Sequence, residues 1–199
     1  HGCRGLHQRR LGVTAGARLA GTAGGRGEAW YVISGTGSLD TERTGPLALA
    51  PGTAVWLEPG TGYDGQGRGL EILAVTVRAG PAAAGPARCV VRLEECEPEF
   101  TGDREFRVLL SEGLTITQFA GTIPPGRAPA HQHTYDEVVH VLAGQGVVHL
   151  DGADTPIGAG TSIYLPPLQP HCLENTGRDP LRVLGVFHPA GSPAAKQVS

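Results

Sequence analysis

The chain has 199 residues, of which 40% are hydrophobic and 18% charged, so it can bury a core and is neither a disordered nor a highly charged segment. Its net charge of −3 provides no basic surface for nucleic acid, and no apolar run reaches the roughly 18 residues of a membrane-spanning helix. These features predict a soluble, cytoplasmic globular protein that binds neither nucleic acid nor membrane.

Short strand-like runs follow one another along the chain. The first half contains "AWYVISGTGSLD", "TAVWLEPG" and "LEILAVTV", and the second contains "VVHVLAGQGVVHLDG", "TSIYLPP" and "LRVLGVF". Runs of Val, Ile, Leu and Thr between Gly, Pro and Asp are typical of strands, and no amphipathic helical stretch stands out. The Gly35/Gly37 and Gly144/Gly146 pairs have no helix after them, which predicts hairpin turns and not a phosphate loop. The fold class predicted is all-β.

The chain divides near its middle. The segment "RAGPAAAGPAR", from Arg78 to Arg88, has no apolar periodicity and is typical of a connector between two β-rich halves. We therefore predict four parts, which are an N-terminal domain (1–78), a connector (79–103), a C-terminal domain (104–190) and a tail (191–199).

The two halves repeat one another. "EAWYVISG", starting at Glu28, matches "EVVHVLAG", starting at Glu137. Further on, "PGTAVWLEPGTGY", ending at Tyr63, matches "GAGTSIYLPPLQPH", ending at His171. We infer a duplicated β domain of roughly 80 to 90 residues per copy, which is within the usual size of one small domain.

The second copy has histidines that the first lacks. In a strand, residues i and i+2 point to the same face, so His131 and His133 can converge on one ion. Glu137 follows after a short segment, and His171 would be a fourth ligand from a distant strand. Two histidines and a carboxylate on one side of an ion suit redox-active first-row metals. No histidine lies between residues 8 and 130, and the matching positions of the first copy are Thr22, Gly24 and Tyr63.

With these motifs the second half resembles the cupin superfamily. Its first motif is Gly126, His131, His133, Glu137 and Gly144, with four residues in place of the usual five after the first glycine. Its second motif runs from Gly160 through Pro166 and His171 to Asn175, with Leu168 where the family usually has glycine. The resemblance implies a jelly-roll barrel, or double-stranded β-helix, for each half. The whole chain therefore resembles a bicupin with a degenerate N-terminal barrel.

The resemblance also implies that His131, His133, Glu137 and His171 bind one divalent transition metal (Fe, Mn, Ni, Cu or Zn). The expected function is a metal-dependent enzyme, most readily a dioxygenase-type oxidoreductase, acting on a small oxygen-rich or enolic molecule. Two alternatives stay open, a non-redox isomerase, cyclase or hydrolase and a ligand-binding or sensing bicupin without catalysis. No catalytic residue beyond the ligands, and no organic cofactor, is assigned.

Other residues are weaker candidates for a role. Gln118, Tyr164 and Arg127 are expected near the mouth of the second barrel. The first barrel is expected to support the second or a homodimer, and could hold an organic ligand with its aromatic side chains, Trp30, Tyr31, Trp56 and Tyr63. His140 has the opposite strand parity to Glu137, and Asp136 is the residue directly before Glu137. Both are therefore expected to face away from the site.

Overall fold

The computed structural model describes residues 5–78 and 88–194. These residues form two compact units, the first of residues 5–78, 88–96 and 109–115 and the second of residues 97–108 and 116–194. The connector residues 79–87 and the tail residues 195–199 lie outside the described residues. In the described part of the chain, the helical structure is one short 3-10 turn at Leu93–Glu95, and no helix is long and apolar enough to span a membrane.

The first unit is a single antiparallel sheet of seven strands. Its hydrogen-bonded order is β1-β6-β3-β5-β7, with β2 on β6 and β4 on β3. The strands are β1 (Leu6–Val13), β2 (Arg18–Thr22), β3 (Glu28–Thr41), β4 (Leu47–Leu49), β5 (Thr53–Leu57), β6 (Gly62–Val77) and β7 (Val90–Arg92). Alternate residues of β3, such as Trp30 and Val32, join an apolar core with Ile72 and Ala74. Part of the predicted connector is thus ordered, because β7 pairs with β5.

The second unit has two sheets, as a jelly roll requires. The orders are β15-β12-β17-β10-β9-β8 in one sheet and β11-β16-β13-β14 in the other. The strands are β8 (Glu99–Thr101), β9 (Arg104–Leu110), β10 (Thr117–Ile123), β11 (Gly126–Arg127), β12 (Asp136–Ala143), β13 (Gln145–Leu150), β14 (Ala153–Gly158), β15 (Ser162–Leu165), β16 (His171–Asn175) and β17 (Leu181–His188). The prediction of an all-β jelly-roll fold is confirmed.

The repeat is visible in the strand register. Glu28 on β3 lies between Leu57 of β5 and Thr76 of β6. Glu137 on β12 lies between Leu165 of β15 and Phe187 of β17. The two glutamates therefore occupy the same place in the same three-stranded arrangement, and the strand that carries each one is flanked on both sides.

The predicted hairpin turns at the two glycine pairs are wrong. Gly35 lies inside β3, at an irregularity in its pairing with β6, and Gly144 lies between β12 and β13, which belong to different sheets. Both glycines have positive φ, of 77° and 88°. A Cβ at Gly35 would lie 2.1 Å from the carbonyl oxygen of Gly69. These glycines let a strand bend where the barrel curves and are not hairpin tips.

Asn175 ties together three segments near the end of β16. Its side-chain amide donates to the carbonyl oxygens of Ile123 and Asp179, both at 2.9 Å, and its Oδ1 accepts from the Gly177 amide at 2.9 Å. The side chain is buried. It therefore satisfies backbone groups that water cannot reach.

Replacement of Asn175 is expected to destabilise the second unit. Asn175→Ala leaves the buried carbonyl of Ile123 unpaired and removes the hydrogen bonds with Asp179 and Gly177, so we expect a loss of about 2 kcal/mol in the free energy of unfolding. Asn175→Asp keeps the acceptor but sets a carboxylate against two carbonyls, so it should lose at least as much. Urea unfolding followed by circular dichroism measures both, with exposed Gln145→Ala as the control. Equal stability of Asn175→Ala and wild type would contradict the bracing role.

Candidate metal centre

The four predicted ligands lie together in the second unit. The imidazole of His171 has its centroid 4.6 Å from that of His131 and 4.8 Å from that of His133. His131 and His171 form an isolated β-bridge, with amide to carbonyl distances of 2.9 and 2.8 Å. Nε2 of His133 is 3.0 Å from Oε2 of Glu137. His133, Glu137 and His171 are buried, and His131 is half-buried.

Each of the three histidines has one ring nitrogen committed to the backbone. Nδ1 lies 3.1 Å from the Pro129 carbonyl in His131, 2.8 Å from the Tyr135 carbonyl in His133 and 2.8 Å from the Gln169 carbonyl in His171. An Nδ1 that donates to a carbonyl leaves Nε2 with a free lone pair. This outer arrangement is typical of histidines that bind metal through Nε2.

The closest approach in the cluster favours a cation. Nε2 of His133 has no hydrogen bond in spite of its 3.0 Å distance from the Glu137 carboxylate. With Nδ1 as the donor to the backbone, Nε2 is an acceptor that faces the carboxylate oxygen, which is also an acceptor. The short distance is therefore not a hydrogen bond. A positive ion between them satisfies both groups, so the donor set fits a divalent metal.

Burial favours the neutral form of His131 and His171. Burial lowers the pKa of His171 to about 4, partly offset by its hydrogen bond with the Gln169 carbonyl. Burial also lowers the pKa of His131, with a further contribution from the positive charge of Arg104. Neutral imidazole is the form that binds metal. As they stand, however, no three His, Cys, Asp or Glu side chains in residues 5–78 and 88–194 are placed so that they could hold a metal ion.

A cavity of about 280 Å³ opens beside the cluster. Its walls include His131, Glu137 and His171, so a small molecule in the cavity would touch the proposed ligands. Tyr135 also lines it, stacked on the ring of His133 and on Phe187, both at a centroid distance of 4.2 Å. This stack fixes the plane of the His133 imidazole and shields one face of it from water.

The three weaker pocket candidates are not among the residues that line this cavity. Gln118 is fully buried, and neither atom of its amide group has a hydrogen-bond partner. Tyr164 donates to Asp136, and Arg127 is exposed. Strand parity accounts for Gln118, because Phe119, Gly121 and Ile123 of β10 line the cavity and have the opposite parity, although Thr122 also reaches it.

The residues expected to face away from the site do so. His140 is buried and not in the cavity wall, with Nδ1 2.9 Å from the hydroxyl of Ser162. Asp136 accepts from Tyr164 and is likewise absent from the wall. The residue that sequence reasoning missed is Arg104, which lines the cavity from β9. The sequence has no signal for this role, because nothing in it distinguishes Arg104 from the other arginines.

The equivalent place in the first unit has a different arrangement. The buried carboxylate of Glu28 accepts from Arg9 at 2.8 and 3.0 Å, from the Gly24 amide at 3.0 Å and from Trp30 Nε1 at 2.9 Å. The hydroxyl of Thr76 is 3.3 Å away. The guanidinium of Arg9 thus supplies the positive charge that the carboxylate needs. Trp30, Tyr31 and Trp56 are buried core residues, which gives no support to an organic ligand held by them.

Leu168 adopts the backbone conformation of the glycine that it replaces. Its φ is 61°, in the left-handed region, and its side chain is 64% exposed. Its amide donates to the carbonyl of His133 at 2.6 Å, which ties the loop before His171 to the HxH segment. The loop therefore keeps its shape at a cost in backbone strain of roughly 1–2 kcal/mol.

Comparisons with known proteins agree with this fold. Residues 120–187 match the sequence family described as Cupin domain. An uncharacterized protein of Methanocaldococcus jannaschii is 38% identical over 80 residues, and the oxalate-binding protein of Thermotoga maritima is 38% identical over 67 residues. These matches cover 39% and 33% of this chain and 64% and 55% of the relatives. The chain thus spans less than two thirds of either relative.

Solved structures with a similar fold include those of oxalate decarboxylase from Bacillus subtilis. One has a TM-score of 0.79 and 18% identity, and covers 98% of this chain and 71% of that one. Another, which concerns the Mn(II) centres of that enzyme, has a TM-score of 0.78, 17% identity and the same coverage. At this identity the likeness establishes the fold alone.

Removing the strain at Leu168 is expected to stabilise the loop. Leu168→Gly and Leu168→Ala both delete the exposed side chain, but only glycine adopts positive φ without strain. We expect the glycine variant to exceed the alanine variant by about 1 kcal/mol in the free energy of unfolding. Urea unfolding of the two variants measures the difference. An alanine variant as stable as the glycine variant would contradict the left-handed conformation.

Arg9 is expected to be essential to the stability of the first unit. Arg9→Met leaves Glu28 buried without its counter-charge, so we expect a loss of about 3 kcal/mol in the free energy of unfolding. Adding Glu28→Gln should recover part of the loss, and Arg18→Met, which breaks an exposed pair with Asp64, should cost less than 1 kcal/mol. Both tryptophans lie in this unit, so their fluorescence reports its unfolding. A similar loss from Arg9→Met and Arg18→Met would refute the assignment.

Residues 120–187 thus match the Cupin domain family, and the chain has an all-β jelly-roll fold that is similar to that of oxalate decarboxylase.

Proposed function

We propose that the chain is a metal-dependent cupin enzyme, a bicupin in which only the second unit is catalytic. In this proposal one divalent transition metal is bound by the cluster His131, His133, Glu137 and His171. The observation that carries it is the lone pair of His133 Nε2, buried 3.0 Å from the Glu137 carboxylate and without a hydrogen bond. The three Nδ1 contacts with backbone carbonyls add support, because they aim Nε2 away from the backbone.

The proposed substrate is a small oxygen-rich or enolic organic acid, and the proposed chemistry is of the dioxygenase type. When bound, a redox-active metal would supply Lewis-acid and oxygen chemistry. Two similar proteins are an oxalate-binding protein and an oxalate decarboxylase, which supports a small acid as the ligand of this chain. The chain's own contribution is to hold neutral imidazoles beside a cavity and to limit water there by the Tyr135 stack.

Proton transfer in the cavity would fall to Glu105. Besides Glu137 it is the carboxylate in the described wall, and Nε of Arg107 donates to it at 2.8 Å. A carboxylate that lines the cavity is placed to act on a bound molecule as a general base. Glu105 is therefore the residue that we propose for accepting a proton from bound substrate.

A second candidate function is binding without catalysis. It is favoured by the relative named oxalate-binding protein and by the small number of acid or base groups in the cavity. The two functions differ in turnover and not in metal content. The homodimer and the cytoplasmic location expected from the sequence remain predictions.

Metal content is the first test. Protein purified without a metal-affinity step should contain about one equivalent of transition metal per chain, because only the second unit has the ligands. The His131→Ala, His171→Ala double variant should contain none. His149→Ala is the matched control, since His149 pairs with Asp154 and Glu174 away from the cavity and should not affect metal content.

Elemental analysis and oxygen uptake together decide between the functions. Iron, manganese, copper or nickel with oxygen uptake on a small acid supports the oxygenase, and metal with ligand binding but no turnover supports the binding protein. Absence of metal from wild type even after reconstitution would contradict both. Two equivalents per chain would contradict the metal-free first unit.

A further inference from the structure

The cavity beside the histidine cluster contains a positive charge that no side chain neutralises. Arg104 lines this cavity together with His131, Glu137 and His171. Nε of Arg104 is buried and has no hydrogen-bond partner, and no ion pair in the described part of the chain involves this residue. The nearest carboxylate in sequence, Glu105, is engaged by Arg107. A buried guanidinium donor without a partner costs free energy unless a ligand satisfies it.

A second unpaired donor lies directly opposite Arg104. Thr101 on β8 is its partner across the antiparallel β8–β9 pair, and it also lines the cavity. The Thr101 hydroxyl is buried without a hydrogen-bond partner. Residues directly opposite in such a pair have side chains about 5 Å apart on the same face of the sheet. A guanidinium and a hydroxyl at this spacing are a donor set for one carboxylate group.

The charge of Arg104 also reaches the histidine cluster. After burial, the positive charge of Arg104 is among the influences that lower the pKa of His131. The electrostatic field of Arg104 therefore reaches the part of the cavity wall that contains His131. An anion in this cavity would be attracted both by Arg104 and by a cation at the histidine cluster.

The rest of the wall is apolar. It includes Phe106, Phe119, Val139, Leu165 and Val183. The cavity volume of about 280 Å³ corresponds to roughly nine waters at their share of liquid volume. A two-carbon dianion such as oxalate has no hydrocarbon to bury against these side chains. A carboxylic acid with an apolar body covers them and gains roughly 25 cal/mol for each Å² removed from water.

We propose that Arg104 and Thr101 bind the carboxylate of an aromatic or branched aliphatic acid, whose apolar body packs on this wall and whose other end faces the histidine cluster. The reaction at that other end rests on the proposed function, whereas the carboxylate contact does not. Arg104 thus selects for a carboxylate, and the apolar wall selects for an acid that is larger and less polar than oxalate.

Binding of three probe ligands tests this inference. Isothermal titration calorimetry compares benzoate, its neutral counterpart benzamide, and oxalate on metal-reconstituted full-length protein. We expect benzoate to bind at least tenfold more tightly than benzamide. Arg104→Gln should weaken benzoate at least tenfold and leave benzamide unchanged, and Thr101→Val should weaken benzoate several-fold. Exposed Arg182→Gln on β17 is the matched control and should leave benzoate binding unchanged.

Equal affinity of wild type and Arg104→Gln for benzoate would overturn the proposal. So would an affinity of wild type for oxalate that exceeds its affinity for benzoate and is lost in Arg104→Gln. Metal content of the same samples separates the two hypotheses. A variant that retains its metal but loses benzoate supports the carboxylate contact. Arg104-dependent benzoate binding in protein that takes up no metal would also support it, and would contradict the metal centre.

Discussion

A buried carboxylate at the same point of two repeated strands is the constraint on which both units depend. Glu28 and Glu137 lie within an antiparallel three-stranded arrangement, where both are buried. A buried carboxylate must be compensated by positive charge and hydrogen bonds. The first unit uses the guanidinium of Arg9, and in the second unit Glu137 lies 3.0 Å from a ring nitrogen of His133 that has no hydrogen bond.

This difference explains why one scaffold serves two purposes. In the first unit the carboxylate is saturated by four donor groups, so no position is left for a ligand. In the second unit the histidines direct their Nδ1 atoms to the backbone and keep their other nitrogens unpaired. The strand pairing is common to both, whereas the chemistry depends on a few side chains at one end of the barrel.

Much of this could be predicted from sequence because the relevant patterns are local. Runs of Val, Ile, Leu and Thr between Gly, Pro and Asp predicted the strands. The expectation that His131 and His133 lie in a strand is wrong, because both lie in the segment between β11 and β12, where His131 makes an isolated bridge with His171. Gly35 and Gly144 were misinterpreted because a glycine with positive φ serves a bulge as well as a hairpin, and only strand pairing distinguishes them. Arg104 could not be found because its importance lies in partners that it lacks, which sequence does not reveal.

The Arg9–Glu28 pair has a consequence for how the chain is made. Where a site depends on metal, binding free energy and folding free energy are linked, and the shape of the site is gained only when the ion arrives. The guanidinium of Arg9 is part of the chain, so the neutralisation of Glu28 does not depend on the supply of a metal ion. The first unit can therefore complete its folding without an ion, and under the proposed function only the second half of the chain would have to acquire a metal.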